Sequence, residues 1–415
     1  MRILFITAFY PPCDYGYGYM RLCERVADEM HTRGHAVMVL TSTYRHGEEA
    51  KPYPVHRRLE LDPDWFQSRP AMFQFFADRP RREREAARSF SDLARAFAPD
   101  VIFIWHGQGL SRAMFQQAER LPGAVTVYYL ANYLPEQPDE YLEYWDKPGG
   151  SRPAQWVKAP LGALARRILR AEQKPVIPAF AHTIHVSQHV RQRLQPMVGE
   201  DAVTIPTGTD FSALGGLQRQ AREDGLRCIL AGRVSPEKGL HTAIAAFAAL
   251  NRTHELGNTS LTIMGDGPPD YLARLKQQVR EAGLEQVVTF EAPLDLAGYR
   301  QRLAAHDVLL FPSNWDEPLS NTMLEAMALG LCVIGTIAGG SGEALIHEQT
   351  GLVFPAEDAE ALARQIIKLR AQPELFEVLT REARRFVRQH YDLRQSLDQI
   401  EAHLLALAAT ARNPV

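Results

Sequence analysis

One segment in the second half of the chain combines two carboxylates with the start of a predicted helix. It reads SNWDEPLSNTMLEA and directly follows the apolar strand VLLFP. Glu317 precedes a Pro-Leu-Ser-Asn turn, and Glu325 lies eight positions later. Ser320 is a favourable N-cap, so the backbone amides of Asn321 and Thr322 are expected to point out of the helix start. Such a start at the carboxyl edge of a parallel sheet is typical of a phosphate site, here with one carboxylate toward each end of the ligand.

The same residues also fit a structural role. Ser320 as a plain N-cap, with both glutamates solvated near the helix, needs no ligand at all.

A second segment, LAGRVSPEKG, also leads from a strand through a turn into a helix. Arg233 and Lys238 are five positions apart in a loop that has a glycine at each end, so both cations can converge on one anion. Arginine binds a phosphate bidentately and lysine adds a mobile charge. A diphosphate leaving group needs this charge, because its own negative charge grows as its bond to carbon breaks. A surface turn with two solvated cations is the alternative.

Two weaker signals lie at other strand ends. Gly265 and Asp266, in IMGDGP, allow a close backbone approach to a nucleotide, although turn chemistry alone also explains them. His106 follows the strand VIFIW and is placed to hydrogen-bond in a cleft between domains, or to be a satisfied structural histidine.

The first strand leads into a glycine-containing loop, YPPCDYGYGYM. Gly16 and Gly18 permit a tight turn whose amides face a phosphate or a sugar. Arg21 occupies the third glycine position of the G-x-G-x-x-G pattern, so the loop is not a dinucleotide fingerprint and a dinucleotide oxidoreductase is disfavoured.

Short apolar runs alternate with helical patterns along the chain, which indicates an α/β protein with two doubly wound parallel sheets. Most runs are apolar throughout, as expected for strands covered on both faces. The predicted strands are 3–7, 36–41, 101–105, 125–130, 183–186, 227–231, 260–264, 287–290, 308–311, 332–335 and 352–354. We predict a first domain at 1–205, a linker at 206–225, a second domain at 226–391 and a C-terminal segment at 392–415.

Composition narrows the function classes. The 415 residues carry a formal charge of -3, which disfavours nucleic-acid binding through bulk charge. The four cysteines show no zinc or C-x-x-C spacing, and no signal peptide or membrane span is expected, so a cytoplasmic location is predicted. Arg-rich amphipathic stretches at 79–97 and 161–170 fit either solvated helix faces or peripheral contact with the inner face of a membrane.

The motifs together resemble the retaining glycosyltransferases of family 4, which have the GT-B architecture of two facing Rossmann-like domains with a cleft between them. The resemblance covers nearly the whole chain and rests on MRILFITAFYPP, GRVSPEKG, MGDGP, EPLSNTMLEAMALGLCVIGT, GGSGEAL and TGLVF in that order. It implies a nucleotide diphosphate sugar donor held mainly by the second domain and an acceptor held mainly by the first. It also implies that no metal or other cofactor is needed, and that the last helix crosses back onto the first domain.

The resemblance further implies individual roles. Arg233 and Lys238 are similar to the donor-diphosphate clamp, Glu317 to the carboxylate that contacts the transferred sugar and Glu325 to the one that binds the ribose. The remaining expected donor-side residues are Ser320, Asn321, Thr322, Gly16, Gly18, Gly265 and Asp266, with His106 near the sugar.

The expected function is transfer of a sugar, foremost from a UDP-sugar, to an acceptor hydroxyl in glycan, glycolipid or polysaccharide biosynthesis. The acceptor is a saccharide, a lipid-linked molecule or a small molecule. Two alternatives stay open: a sugar-nucleotide epimerase of the same architecture, and a non-catalytic nucleotide-sugar-binding protein.

Overall fold

The computed structural model describes residues 1–13, 17–44, 47, 49–61, 74–137, 140–146, 152–172, 174, 176–220 and 225–412. Within this part the chain divides into two compact units. The first contains residues 1–186, 190–205 and 397–415, and the second contains 187–189 and 206–396.

The first unit is built on a parallel sheet of seven strands in the order β3-β2-β1-β4-β5-β6-β7. The chain runs from β1 outward to β3, then returns to the other side of β1, which makes the sheet doubly wound. The strands are β1 Arg2–Thr7, β2 Ala36–Ser42, β3 Val55–Leu59, β4 Val101–Ile104, β5 Val125–Leu130, β6 His182–His185 and β7 Asp201–Thr204.

The second unit repeats this winding in a parallel sheet of six strands, ordered β10-β9-β8-β11-β12-β13. The strands are β8 Arg227–Ala231, β9 Ser260–Met264, β10 Val288–Glu291, β11 Val308–Phe311, β12 Cys332–Gly335 and β13 Leu352–Val353. The predicted fold class, two parallel doubly wound α/β domains, is confirmed.

Helices connect the strands, as parallel neighbours require. In the first unit they are α1 Tyr17–Thr32, α2 Arg79–Phe97, α3 Arg112–Glu119, α4 Glu140–Asp146 and α5 Arg152–Ala171. Helix α6, Gln188–Leu194, starts in the second unit and continues in the first. The second unit contains α7 Leu240–Arg252, α8 Pro269–Glu281, α9 Leu296–Ala304, α10 Asn321–Leu329, α11 Ala359–Ala371 and α12 Pro373–His390, and α13 Leu393–Arg412 follows.

Every predicted strand is present, with its ends shifted by at most one residue. Sequence patterns missed β3 and β7, the two edge strands of the first sheet. Strand β3 reads VHRRL and only its last residue is buried, while β7 reads DAVT with no buried residue. Edge strands pair on one side only, so these two lack the apolar run that marks a central parallel strand.

The segment predicted as a linker, 206–225, groups with the second unit over its described part. Arg219 donates to the Asp307 carboxylate at 3.1 Å, and its backbone amide donates to the Leu329 carbonyl at 2.9 Å. These bonds fasten the segment to β11 and α10.

The last helix groups with the first unit from Leu397 onward. Glu401 accepts hydrogen bonds from Arg33 at 2.6 Å and pairs with the His35 ring at 2.7 Å. No helix among the described residues is both long and apolar enough to cross a membrane.

Candidate functional site

Glu317 lies in the loop after β11, at the carboxyl edge of the second sheet. Its side chain is 12% exposed. The Trp315 indole N–H donates to Glu317 Oε2 at 2.8 Å, and the Lys238 ammonium pairs with the same oxygen. The Lys238 nitrogen also lies 5.4 Å from the centre of the Trp315 ring. These three side chains form one polar cluster, which we call the Lys238 cluster.

Two loops meet to build this cluster. The Pro236–Lys238 turn follows β8, and its Glu237 carbonyl accepts from the Asn314 amide at 3.0 Å. Gly239 has a φ of 66°, and a Cβ there would lie 1.9 Å from the Pro312 carbonyl oxygen. Because β8 and β11 are neighbours in the sheet, the loops that follow them lie side by side. This explains how two segments separated by about 80 positions come together.

Arg233, the predicted partner of Lys238 in binding an anion, has a different environment from Lys238. The Arg233 side chain is 62% exposed and pairs with Glu237 at 3.3 Å, whereas Lys238 is 23% exposed and pairs with Glu317. The two cations thus have separate carboxylate partners, and their shared binding of an anion stays a prediction.

The IMGDGP turn is packed backbone to backbone against the loop after β8. The Val234 amide donates to the Asp266 carbonyl at 2.8 Å, and a Cβ at Gly265 would lie 1.8 Å from the Gly232 oxygen. A Cβ at Gly267 would lie 1.8 Å from the Val234 oxygen. Close approach of the two loops therefore accounts for both glycines, and nucleotide contact by Gly265 and Asp266 stays a prediction.

Helix α10 begins beside the loop that carries Glu317. The Ser320 hydroxyl accepts from the Met323 amide at 3.3 Å, which makes it the N-cap. The side chain of Asn321 accepts from the Thr207 hydroxyl at 2.7 Å, and that of Thr322 accepts from the Tyr299 hydroxyl at 3.2 Å. These bonds fix the side chains of the first helical turn, whose backbone amides are the groups expected to face a phosphate.

Glu325 lies one turn further along α10 and is 16% exposed. Its Oε1 accepts from Arg300 Nη2 at 3.0 Å and from Arg300 Nε at 3.2 Å. Burial raises the pKa of Glu325 above its usual range, while the Arg300 guanidinium opposes the shift. Arg300 comes from α9 and no local sequence pattern pairs it with Glu325, so sequence analysis missed it.

A glycine-rich turn, Gly339–Glu343, holds the backbone of Glu317 in place. The Gly340 amide donates to the Glu317 carbonyl at 2.7 Å. Gly339 has a φ of 68°, and a Cβ there would lie 2.2 Å from the Glu317 oxygen. A Cβ at Gly340 would lie 2.0 Å from the Pro318 oxygen. The sequence analysis quoted GGSGEAL only as part of the family resemblance, and it predicted neither this turn nor its contact with Glu317.

In the first unit, His106 follows β4 and packs against aromatic rings. Its ring centre lies 5.3 Å from that of Phe9 and 5.8 Å from that of Tyr19. Burial lowers the pKa of His106 to about 4, so the imidazole is neutral at pH 7. Gly18 lies exposed in the first turn of α1, and Gly16 lies outside the described residues.

The described residues contain no group of three or more His, Cys, Asp or Glu side chains arranged to hold a metal ion. The described positive groups around the second-unit site include the Lys238 ammonium, the Arg300 guanidinium on Glu325 and the helix-dipole end at the start of α10.

Two family models match the chain. The model described as Glycosyltransferase Family 4 matches residues 18–213, and the one described as Glycosyl transferases group 1 matches residues 218–386. A glycogen synthase of Mycobacterium tuberculosis is 29% identical over 245 residues, which are 58% of this chain and 57% of that protein. The matched region thus spans little more than half the length of this relative.

Similar folds occur among solved structures. Sucrose-phosphate synthase from Thermosynechococcus elongatus superposes with a TM-score of 0.72 at 20% identity over 99% of both chains. Anabaena HepE, in complex with UDP and glucose, superposes with a TM-score of 0.66 at 19% identity over 98% of this chain and 100% of that one.

Proposed function

Because this chain belongs to glycosyltransferase family 4 and has the GT-B fold, we propose that it transfers a sugar from a nucleotide diphosphate sugar to an acceptor hydroxyl, with retention of anomeric configuration. The observation that carries the proposal is the Lys238 cluster beside the start of α10, at the carboxyl edge of the second sheet. Open parallel α/β sheets bind their ligands at this edge.

The cluster supplies the charge that such a donor needs. The Lys238 ammonium has three N–H donors, of which one contacts Glu317, so further donors are available for a diphosphate oxygen. The amides at the start of α10 add the positive end of a helix dipole. Arg233, whose side chain is exposed, is the second cation that this loop offers to the diphosphate. The Glu317 carboxylate accepts a hydrogen bond from a hydroxyl of the transferred sugar.

We assign the nucleotide end to Glu325 and the IMGDGP turn. The Glu325 carboxylate accepts hydrogen bonds from the ribose hydroxyls. Arg300 holds this carboxylate in one orientation through two hydrogen bonds. The similar fold of Anabaena HepE was solved with UDP and glucose bound, which supports UDP as the nucleotide here. Positive charge from Lys238 and the helix amides makes a metal unnecessary in this scheme, and full activity in excess EDTA is the expected result.

The reaction follows from these groups. The bond between the sugar C1 and the diphosphate oxygen breaks, and its electron pair leaves with the diphosphate, which Lys238 and the helix amides stabilise. The acceptor oxygen bonds C1 on the same face, and its proton passes to the departing phosphate oxygen. In the first unit, Gly16, Gly18 and neutral His106 are assigned to the sugar side. NMR of the product must show the anomeric configuration of the donor; an inverted product contradicts this scheme.

The acceptor side includes a proposed membrane contact. Helix α5 exposes Trp156 at 84%, Val157 at 53% and Leu164 at 49%, and it also carries Arg167 and Arg170. We place the protein in the cytoplasm with this helix on the inner face of the membrane. Flotation with vesicles containing 20% phosphatidylglycerol, about a typical anionic share, is expected to recover the protein, and no recovery contradicts the contact.

Helix α2, the other Arg-rich stretch, has two of its arginines in ion pairs with nearby carboxylates. Arg79 pairs with Glu83 and Glu172, and Arg81 pairs with Glu60 and Glu85. The large apolar side chains exposed on α5, which have no counterpart among the described residues of α2, favour α5 as the membrane-facing element.

A panel of nucleotide sugars tests the function. One donor is expected to raise the melting temperature above all others, because stabilisation grows with ligand occupancy. The same donor is then expected to release nucleotide when acceptors are pooled.

Variants of the cluster sharpen this test. Lys238→Met or Glu317→Gln is expected to lower turnover by about 10²- to 10³-fold, as loss of one preorganised electrostatic contact does. Lys368 and Glu348 form an ion pair of the same type on the surface of the second unit, so Lys368→Met and Glu348→Gln are matched controls that keep full turnover. Donor binding without transfer to any acceptor, or equal losses in the controls, contradicts the proposal.

A further inference from the structure

A cavity of about 590 Å³ lies in the second unit, away from the Lys238 cluster. Leu329 and Gly330, at the end of α10, form part of its wall. They come just before β12, and Asp307, which pairs with the wall residue Arg219, comes just before β11. The cavity is therefore at the amino edge of the sheet, whereas the Lys238 cluster is at the carboxyl edge. Helix α10, nine residues and about 13 Å long, separates the two.

Arginines dominate the wall of this cavity, which we call the arginine pocket. Helix α12 contributes Arg381, Arg384, Arg385 and Arg388. Their spacing of three, four and seven positions puts them on one face of the helix. Arg219 adds a fifth guanidinium from the segment before β8.

The carboxylates near the pocket do not balance this charge. Arg219 shares Asp307 with Arg227 and also pairs with Glu377. Arg381 and Arg385 share Glu382, at 3.2 and 3.8 Å. The five guanidinium groups of the wall thus have three carboxylate partners among the described residues, and Arg227, outside the wall, shares one of them.

The excess of positive charge is local. Residues 191–415 hold 22 Lys and Arg against 28 Asp and Glu, so the pocket is a basic site in an acidic half of the chain. Like charges at this helical spacing repel one another. A bound anion removes that cost, and the guanidinium fork matches the oxygens of a phosphate.

We propose that the arginine pocket binds a small soluble phosphate ester, such as a phosphorylated sugar, as a ligand distinct from the donor. The volume lies within the range of about 300 to 1,000 Å³ found for small-molecule sites. The wall residues come from α10, from α12 and from the segment before β8, so they line an open depression with room for one small molecule. The proposal does not depend on the transfer reaction, so it stands or fails separately from the proposed function.

Calorimetric titration of the full chain with mannose 6-phosphate tests the proposal, with mannose as the uncharged control. Binding is expected for the phosphate ester alone and is expected to weaken as salt is raised. Arg384→Gln combined with Arg388→Gln is expected to weaken it at least tenfold, since each hydrogen bond to a charged group contributes about that factor. The single variant Arg384→Gln, expected to weaken binding by a smaller factor, covers the case in which the double variant fails to fold.

The matched control changes charge elsewhere. Arg252 and Arg364 are exposed on α7 and α11 of the same unit and do not line the pocket, so Arg252→Gln with Arg364→Gln should bind mannose 6-phosphate as the wild type does. Lys238→Met should also bind it normally.

Four results overturn the proposal. The first is absence of binding at about 10 mM ester, where a Kd of about 1 mM would already give near-saturation. The second is an equal loss of binding in the control variant, and the third is a loss in Lys238→Met in place of the pocket variants. The fourth is arginine-dependent displacement of the ester by phosphatidylglycerol vesicles, which would identify a lipid headgroup as the ligand.

Discussion

Replacing Gly339 by alanine is expected to disturb the Lys238 cluster without touching any of its side chains. Gly339 has a φ of 68°, and a Cβ there would lie 2.2 Å from the Glu317 oxygen and 2.6 Å from the Glu317 nitrogen. Both atoms belong to the backbone, so no side-chain rotation relieves the clash. Reaching an ordinary contact of about 3.4 Å requires Glu317 to move by roughly 1 Å.

Two separate costs follow from this geometry. Alanine in the left-handed region costs about 1 kcal/mol of folding free energy, and the displaced Glu317 backbone adds to that. A displacement of about 1 Å in a catalytic group can lower turnover by about 10²-fold. Gly283 supplies the control: its φ is 65° and the nearest atom to its Cβ is Asn251 Nδ2 at 3.9 Å. Gly283→Ala therefore has the same backbone cost without the clash.

The assay is nucleotide release at saturating donor, together with the melting temperature of each variant. Gly283→Ala should melt a few degrees below the wild type, because about 1 kcal/mol shifts a unit of this size by roughly 2 to 4 °C, and Gly339→Ala should melt lower still. Only Gly339→Ala should lose turnover. Wild-type turnover in Gly339→Ala, or an equal loss in Gly283→Ala, refutes the link between this turn and Glu317.

Two further predictions concern hydrogen bonds to carboxylates. Trp315→Phe removes the donor to Glu317 and should lower kcat/KM about tenfold. Trp145→Phe in α4, where the indole N–H has no acceptor among the described residues, should leave kcat/KM unchanged. Equal values for the two variants contradict the role of the Trp315 indole N–H. Burial raises the pKa of Asp307, but bonds from Arg227 and Arg219 outweigh it and hold this pKa below its usual range. In the unfolded chain the Asp307 carboxyl has a pKa of about 4, so above that pH the carboxylate contributes its full stabilisation of the fold. This stabilisation is lost as the pH falls from there through the lower pKa that Asp307 has in the folded protein. Asp307→Asn should cost about 3 kcal/mol in urea unfolding at pH 7, and a loss under 1 kcal/mol, roughly that of a surface pair, contradicts the assignment.

Much of the fold could be predicted because central parallel strands are continuous apolar runs. Strands β5, β8, β9, β11 and β12 have the predicted ends. The edge strands β3 and β7 could not be found this way, since a strand with one partner tolerates polar residues such as those of VHRRL.

The sequence could predict which loops form the candidate site, but not which of their side chains pair. Glu317 and Lys238 each follow a strand, and the rule that ligands collect at carboxyl edges brings them to one place. Which side chains pair there depends on long-range contacts. Arg300 donates to Glu325, and the Gly340 amide donates to the Glu317 carbonyl. No local spacing in the sequence indicates either hydrogen bond. Arg233 shows the converse, because its spacing from Lys238 suggested convergence while its carboxylate partner is Glu237.

The proposed function requires the second unit to hold a nucleotide diphosphate sugar at the Lys238 cluster. A crystal structure of the protein soaked with UDP-glucose tests it most directly. We expect a diphosphate oxygen within about 3.2 Å of Lys238 Nζ and another at the backbone amides that begin α10. Electron density for the diphosphate at any other place, with the Lys238 ammonium bound to Glu317 alone, contradicts it.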